Sequence, residues 1–232
     1  SRLFRQYAVT FVENHDTQMR SASEPLDPIK KDTLAANAYL LAMPGTPCVF
    51  YRHWLDHKQA IKAMIEVRRA AGIVNTSVPT IVSREPKQYV VSVAGTKGTL
   101  LCVLGDEAEN YAPDATKYVK VLSGQHCAYF LSRSTKTLLL DKPSGEYEAA
   151  FTAKVTSVSE SEQTLVYTTD GTLPTAQSSR VPADGNISIT QDATLQVGVL
   201  SAEGEVSNVV SRTYTIRPFV EHTATIHVRN EN

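Results

Sequence analysis

The sequence predicts a multidomain fold in which two parallel βα units are followed by two successive antiparallel β-sandwiches. Three observations carry this expectation. Residues 7–72 read as strand, helix, strand, helix with short connections, the signature of parallel βα units. From Val78 onwards the apolar period changes from helical to alternating, with closely spaced turn signals, as in an antiparallel sandwich. Lys142-Pro143-Ser144-Gly145 then breaks the pattern, and a second β-rich unit full of Thr, Ser and Val begins.

The first strand lies in Tyr7–Arg20, YAVTFVENHDTQMR. Its apolar residues Tyr7, Ala8, Val9, Phe11 and Val12 stop abruptly at Glu13, Asn14, His15 and Asp16. Such a run suits a buried parallel strand whose carboxyl end carries the chemistry. A hydrogen-bonded loop entry is the competing reading, because Asn, His and Asp all favour turns. After a polar loop over Thr17–Leu26, Asp27 and Pro28 make a helix start, with a carboxylate N-cap and Pro at the first helical position. Ala35, Ala36, Ala38, Tyr39, Leu40 and Leu41 give a helix that is apolar on most sides, which implies burial. Pro44-Gly45 ends it, and Thr46–Tyr51 (TPCVFY) is a second short strand leading to Arg52, His53 and Trp54. Asp56 and Gln59 stand in capping-box spacing ahead of the stripe Ile61, Met64, Ile65, so a helix is expected from about Asp56 to Gly72.

Beyond Val78 the expected strands are Thr80–Ser83, Gln88–Ala94, Thr99–Leu104, Tyr118–Ser123, Cys127–Leu131 and Thr137–Leu140, with Gly95–Gly98 as a hairpin turn. In the second unit the inward candidates are Phe151, Val155, Leu165, Tyr167, Ile187, Ile189, Leu195, Val197, Val199, Val209 and Tyr214. Asp170-Gly171 is a tight-turn dipeptide.

Composition narrows the function. In 232 residues there are 23 Lys and Arg against 24 Asp and Glu, a net charge of −1, so no basic footprint for nucleic acid or an anionic membrane is present. No apolar run is long enough to span a bilayer, and Ser1–Gln6 leads into no signal-peptide core. The chain starts without Met, directly before a strand, and is expected to be a piece of a longer protein. The three cysteines, Cys48, Cys102 and Cys127, are too far apart for a local metal knuckle. A Cys102–Cys127 disulfide and buried reduced thiols are both open, the thiols being the expectation. His53 and His57 are four apart, but a helix beginning near Asp56 excludes His53 and no third ligand is evident, so no metal is expected.

FVENHDTQ (Phe11–Gln18), followed about thirty residues later by AMPGTPCVFYRHW (Ala42–Trp54), resembles the α-amylase family of glycoside hydrolases. The resemblance covers roughly residues 7–75. It implies that residues 1–75 are the C-terminal part of a (β/α)8 catalytic barrel, strands 7 and 8 with their helices. Residues 76–142 would then be the antiparallel sandwich that follows the barrel in that family. Residues 143–217, with LVYTTDGTLPT (Leu165–Thr175) and SNVVSRTYTI (Ser207–Ile216), resemble the fibronectin-III-like repeat at the C-terminus of chitobiases. Residues 218–232, ending HTATIHVRNEN, look like a linker and the opening of a starch-binding module.

By that resemblance the activity is retaining hydrolysis of α-1,4-glucosidic bonds in starch-type glucans. Retention needs a nucleophilic carboxylate and a carboxylic acid about 5–5.5 Å apart. In the family these come from the fourth and fifth strands, which this chain does not contain, so the chain alone is expected to be inactive and to need the N-terminal barrel portion as partner. The resemblance makes Asp16 the third acid, a transition-state stabiliser bonding sugar hydroxyls, with His15 and Asn14 beside it at the substrate. Glu13 stands where many relatives carry Asp and is read as structural. Trp54 suits stacking on sugar and His53 suits lining a subsite, with packing the competing reading for both. No cofactor is implied within the chain, calcium is allowed in the longer protein, and a secreted or cell-surface location is implied. A non-catalytic carbohydrate-binding or spacer protein retaining a barrel remnant is the alternative.

Overall fold

The computed structural model describes residues 6–17, 23, 29 and 31–219. The expected strand-helix-strand-helix order opens it. Strand β1 (Val9–Thr10) pairs in parallel with β2 (Thr46–Pro47), in the register Val9↔Thr46 and Thr10↔Pro47. Helix α1 (Thr33–Ala42) connects them, and α2 (Tyr51–Ala71) follows. The two strands are shorter than the apolar runs that announced them. The N–H groups of Thr46 and Cys48 reach the carbonyls of Ala8 and Thr10 (3.2 and 2.7 Å), and beyond Thr10 the first segment turns away and offers no further ladder.

The helix start at Asp27 and Pro28 lies outside the described residues, as does the end of the chain from residue 220, where the starch-binding resemblance falls. Within them, α1 begins after Asp32, which takes φ 58° at the N-cap, and it buries Ala35, Asn37, Ala38, Leu40, Leu41 and Ala42 as its all-round apolarity requires. Helix α2 begins earlier than Asp56. The strand expected over Thr46–Tyr51 stops at Pro47, and Tyr51 instead opens a helical turn seeded by the Trp54 N–H on the Phe50 carbonyl (3.0 Å). The helix then kinks at His57 (φ −132°, ψ 29°), next to the capping-box spacing that marked its start.

Strands β3 (Val78–Glu85), β4 (Gln88–Ala94), β5 (Thr99–Leu104), β6 (Tyr118–Gly124) and β7 (Cys127–Ser132) form one antiparallel sheet in the order β3-β4-β5-β7-β6. It is not a sandwich of two sheets, contrary to the expectation for residues 76–142. The helices are the reason. Val91, Val93, Leu100, Cys102, Cys127, Tyr129 and Leu131 on one face share a core with Ala38, Leu41, Ile61, Met64 and Val67 of α1 and α2. On the other face a smaller cluster of Val90, Leu101, Val103, Ala128 and Phe130 is closed by Ala108, Tyr111 and Tyr118. The Tyr129 hydroxyl donates to the Ala38 carbonyl, fixing α1 on the sheet. Cys102 and Cys127 are buried free thiols; burial pushes Cys127 up to about 11 and Cys102 further still, while Cys48 is an exposed thiol.

The Gly95–Gly98 hairpin closes the C-terminus of α2. Thr96 N–H donates to the Gly72 carbonyl (2.9 Å), and Lys97 and Gly98 N–H to the Ala71 carbonyl (3.1 and 3.2 Å). Gly72 itself takes the left-handed conformation (φ 70°) that ends the helix.

Strand β8 (Thr137–Leu140), expected to complete the first unit, pairs instead with β10 (Phe151–Val158) of the second. The period of two lets it serve both units: Leu139 faces the first core, while Leu138 and Leu140 face the second. The second unit packs two sheets across one core. Its remaining strands are β9 (Gly145–Tyr147), β11 (Thr164–Thr168), β12 (Ser179–Arg180), β13 (Asn186–Ile189), β14 (Ala193–Leu200) and β15 (Val206–Ile216). One sheet has the order β13-β10-β8 and the other β12-β11-β14-β15-β9. Val155, Ile187, Ile189, Leu195, Val197 and Tyr214 are buried as expected, but Val209 is exposed and Val210 packs inward. A register shift between Val197 and Val199, with Asn208 at φ 50°, reverses the alternation at that point. The unit is seated on α2 through Arg212 Nη2 to Glu66 Oε2 (2.6 Å) and Lys62 Nζ to the Ser144 carbonyl (2.8 Å). Among the described residues no helix is long and apolar enough to cross a membrane.

The β6–β7 hairpin touches the start of α1 through His126, whose Nδ1 bonds Asp32 and whose Nε2 lies 3.8 Å from Asp106. The Asp32 hydrogen bond, then the charges of Asp32, Asp106 and Glu109, raise the His126 pKa above its ordinary value. The contribution of this contact is fully present below about pH 6.5, the ordinary histidine value, and fades as pH rises through the raised folded value. In an NMR titration His126 should titrate above that ordinary value, and Asp32→Asn should bring it down; an unchanged midpoint in the variant would refute the pairing.

Candidate functional site

The carboxyl ends of β1 and β2 point the same way because the strands are parallel, so the segments after them meet on one side of the pair. After β1 the chain folds into a tight Asx turn. The Asn14 Oδ1 accepts the N–H groups of Asp16 (2.9 Å) and Thr17 (3.2 Å), and the Thr17 hydroxyl accepts the Asn14 N–H (3.1 Å). The turn commits the Asn14 amide oxygen and thrusts the next two side chains outward. His15 and Asp16 are 81% and 72% exposed, with His15 Nε2 3.2 Å from Asp16 Oδ1. An exposed carboxylate with an imidazole beside it can accept and donate hydrogen bonds to vicinal hydroxyls.

Glu13 points the opposite way and is buried. Its Oε2 lies 2.6 Å from His53 Nε2 and its Oε1 accepts the Ile29 N–H (2.9 Å). His53 sits on the first turn of α2, also buried, with Nδ1 3.1 Å from Asn37 Nδ2 of α1. Both ring nitrogens therefore face protein partners rather than solvent. Trp54 is half-buried against the main core. Arg52 is exposed and paired with Asp56 along the helix (Nε–Oδ2 3.3 Å).

The structure thus brings Asn14, His15 and Asp16 together on one turn and ties His53 to that turn through Glu13. Asn37 drew no attention in the sequence. The available signal was an amide inside an otherwise apolar helix, since a buried amide needs partners. Arg68, from α2, underpins the segment between α1 and β2: its guanidinium donates to the carbonyls of Leu41 (2.8 Å), Met43 (2.6 Å) and Gly45 (2.9 Å).

Comparison with known proteins gives two kinds of match. Residues 142–211 match the model of the chitobiase/beta-hexosaminidase C-terminal domain. Among curated proteins, the probable alpha-amylase 2 of Arabidopsis thaliana is 33% identical over 127 residues, 52% of this chain and 29% of that protein. The alpha-amylase type B isozyme of Hordeum vulgare is 36% identical over 91 residues, 38% of this chain and 58% of that one. A glucan 1,4-alpha-maltotetraohydrolase of Stutzerimonas stutzeri is 34% identical over 113 residues, 46% of this chain and 20% of that one. The chain covers less than two thirds of the length of each of these relatives. Among solved structures, the gamma-CGTase of alkalophilic Bacillus clarkii has a TM-score of 0.39 at 17% identity, covering 89% of this chain and 39% of that one.

Proposed function

From this likeness to the C-terminal portion of α-amylase-family enzymes, we propose that the chain is part of a retaining glycoside hydrolase that cleaves α-1,4-glucosidic bonds in starch-type glucans. Asp16 is its transition-state stabiliser, with His15 and Asn14 beside it at the sugar. The supporting observation is the parallel β1–β2 pair, which ends in an outward-facing His15–Asp16 turn and is bare along its flank. Tyr7, Val9 and Phe11 on that flank are 81%, 61% and 53% exposed, far more than stray surface apolars need be. Six further barrel strands, carrying the nucleophilic Asp and the acid/base Glu, would cover that flank. Residues 1–75 are then the end of the barrel.

Residues 76–142 and 143–217 follow as β-rich units, the second fibronectin-III-like and acting as a spacer or sugar contact. His53 serves the site through Glu13, and Trp54 offers sugar the part of its ring not packed on the core. The longer enzyme is secreted or at the cell surface and can hold calcium outside this chain. The purified 232-residue chain is expected to show no turnover of soluble starch or a nitrophenyl maltooligosaccharide; turnover comparable to a longer enzyme containing it would contradict this reading.

A further inference from the structure

We infer that Glu13, His53 and Asn37 form a buried positioning device that sets the orientation of the Asn14–Asp16 turn, an inference resting on the reading of Asp16 above. The hydrogen-bond directions in this cluster are fixed by one backbone group. Asn37 Nδ2 lies 2.8 Å from the Thr33 carbonyl oxygen, which can only accept, so that atom is the amide nitrogen. The same nitrogen is 3.1 Å from His53 Nδ1, which must therefore accept. The imidazole is then neutral, with its proton on Nε2 directed at Glu13 Oε2, 2.6 Å away. Glu13 Oε1 meanwhile takes the Ile29 N–H. Both carboxylate oxygens are acceptors, so Glu13 is ionised and the cluster carries one buried negative charge. The Phe50 ring packs nearly perpendicular to the imidazole (centroids 5.4 Å apart, planes at 80°).

Flipping the Asn37 amide would set its oxygen against the Thr33 carbonyl and demand a proton on Nδ1, so the arrangement has a single consistent state. That state joins three segments distant in sequence: the turn after β1, the second turn of α1 and the first turn of α2. Glu13 immediately precedes the Asx turn that displays Asp16. Pinning both of its oxygens from two other segments removes the swivel that a free loop after a two-residue strand would keep. None of the three residues needs to touch sugar. A Gln at position 13 has one acceptor oxygen for two donors, whereas an Asp keeps two.

Two measurements test the device. In the 232-residue chain, long-range proton–nitrogen NMR spectra at pH 8 should show His53 as the Nε2–H tautomer. Asn37→Asp, which places an acceptor opposite Nδ1, should bring a proton onto that nitrogen. An Nδ1–H tautomer in the unmodified chain overturns the inference, whatever the variants do. In a longer enzyme containing this chain, Glu13→Gln should lower kcat on maltooligosaccharides about 100-fold with KM little changed, as expected for a misaligned reacting group. Glu13→Asp should recover most of that loss. Normal kcat in Glu13→Gln, where Asp16→Asn lowers kcat by about 100-fold or more, defeats the positioning device and leaves the assignment of Asp16 standing. Normal kcat in Asp16→Asn defeats the assignment itself and this inference with it. Should Glu13→Gln not fold, the tautomer of the unmodified chain still decides.

Discussion

In a longer enzyme containing this chain, Asp16→Asn should lower kcat by about 100- to 1000-fold while KM changes by less than about threefold. The size follows from what the substitution removes and what it leaves. Asn is isosteric with Asp, and the Asx turn is closed by the Asn14 side chain accepting the backbone N–H groups of residues 16 and 17, not by the Asp16 carboxylate. The turn should therefore survive. The His15 contact also has an amide oxygen to meet. On the proposed reading, what disappears is the negative charge facing sugar hydroxyls, whose acidity grows as the ring approaches the oxocarbenium-like transition state. An interaction that strengthens along the reaction coordinate appears in kcat; one of equal strength in ground and transition states appears in KM. A near-normal kcat would remove Asp16 from the chemistry.

The second large effect concerns stability. Arg68→Met should cost about 3 kcal/mol and lower the melting midpoint of the helical signal by roughly 10 °C. The guanidinium is buried and donates to three backbone carbonyls at the end of α1 and the approach to β2. Burial presses its pKa below the ordinary arginine value, and because a guanidinium keeps its proton in proteins the three carbonyls face a positive charge. Methionine preserves the stem's packing and leaves Leu41, Met43 and Gly45 without their donor. Loss of these bonds frees the segment that fixes β2, so the parallel pair carrying the site should loosen before the second unit does. A melt within about 1 °C of the unmodified chain would show that the carbonyls find water instead.

How much of this was legible beforehand depended on whether the signal was local. The alternation in Gln88–Ala94 and Thr99–Leu104 matched the strands residue for residue, because each face of that sheet buries a different set of side chains. The length of Thr137–Leu140 was equally plain, yet its partner was not: three consecutive leucines report two buried faces without saying which strand lies alongside. Val209 was misplaced because a bulge and a left-handed Asn208 leave no mark in hydropathy. The absence of a second sheet over residues 76–142 was hidden for a similar reason, since an apolar strand face fits a helix as well as a sheet.

In the site, Asn14–Asp16 declared itself as a turn of functional residue types. The reach from Glu13 to His53 spans 40 positions, and only folding brings those segments together. Asn37 drew no attention, and even an amide noticed inside an apolar helix would not have named its partner.

The most direct test of the account is a crystal structure of the longer enzyme with a pseudo-oligosaccharide that mimics the distorted sugar ring. The account predicts that Asp16 lies at hydrogen-bond distance, about 2.6–3.2 Å, from two ring hydroxyls, with His15 beside them and Glu13 still buried against His53. A ligand bound away from the carboxyl ends of β1 and β2, or an Asp16 carboxylate facing solvent in the complex, would contradict it.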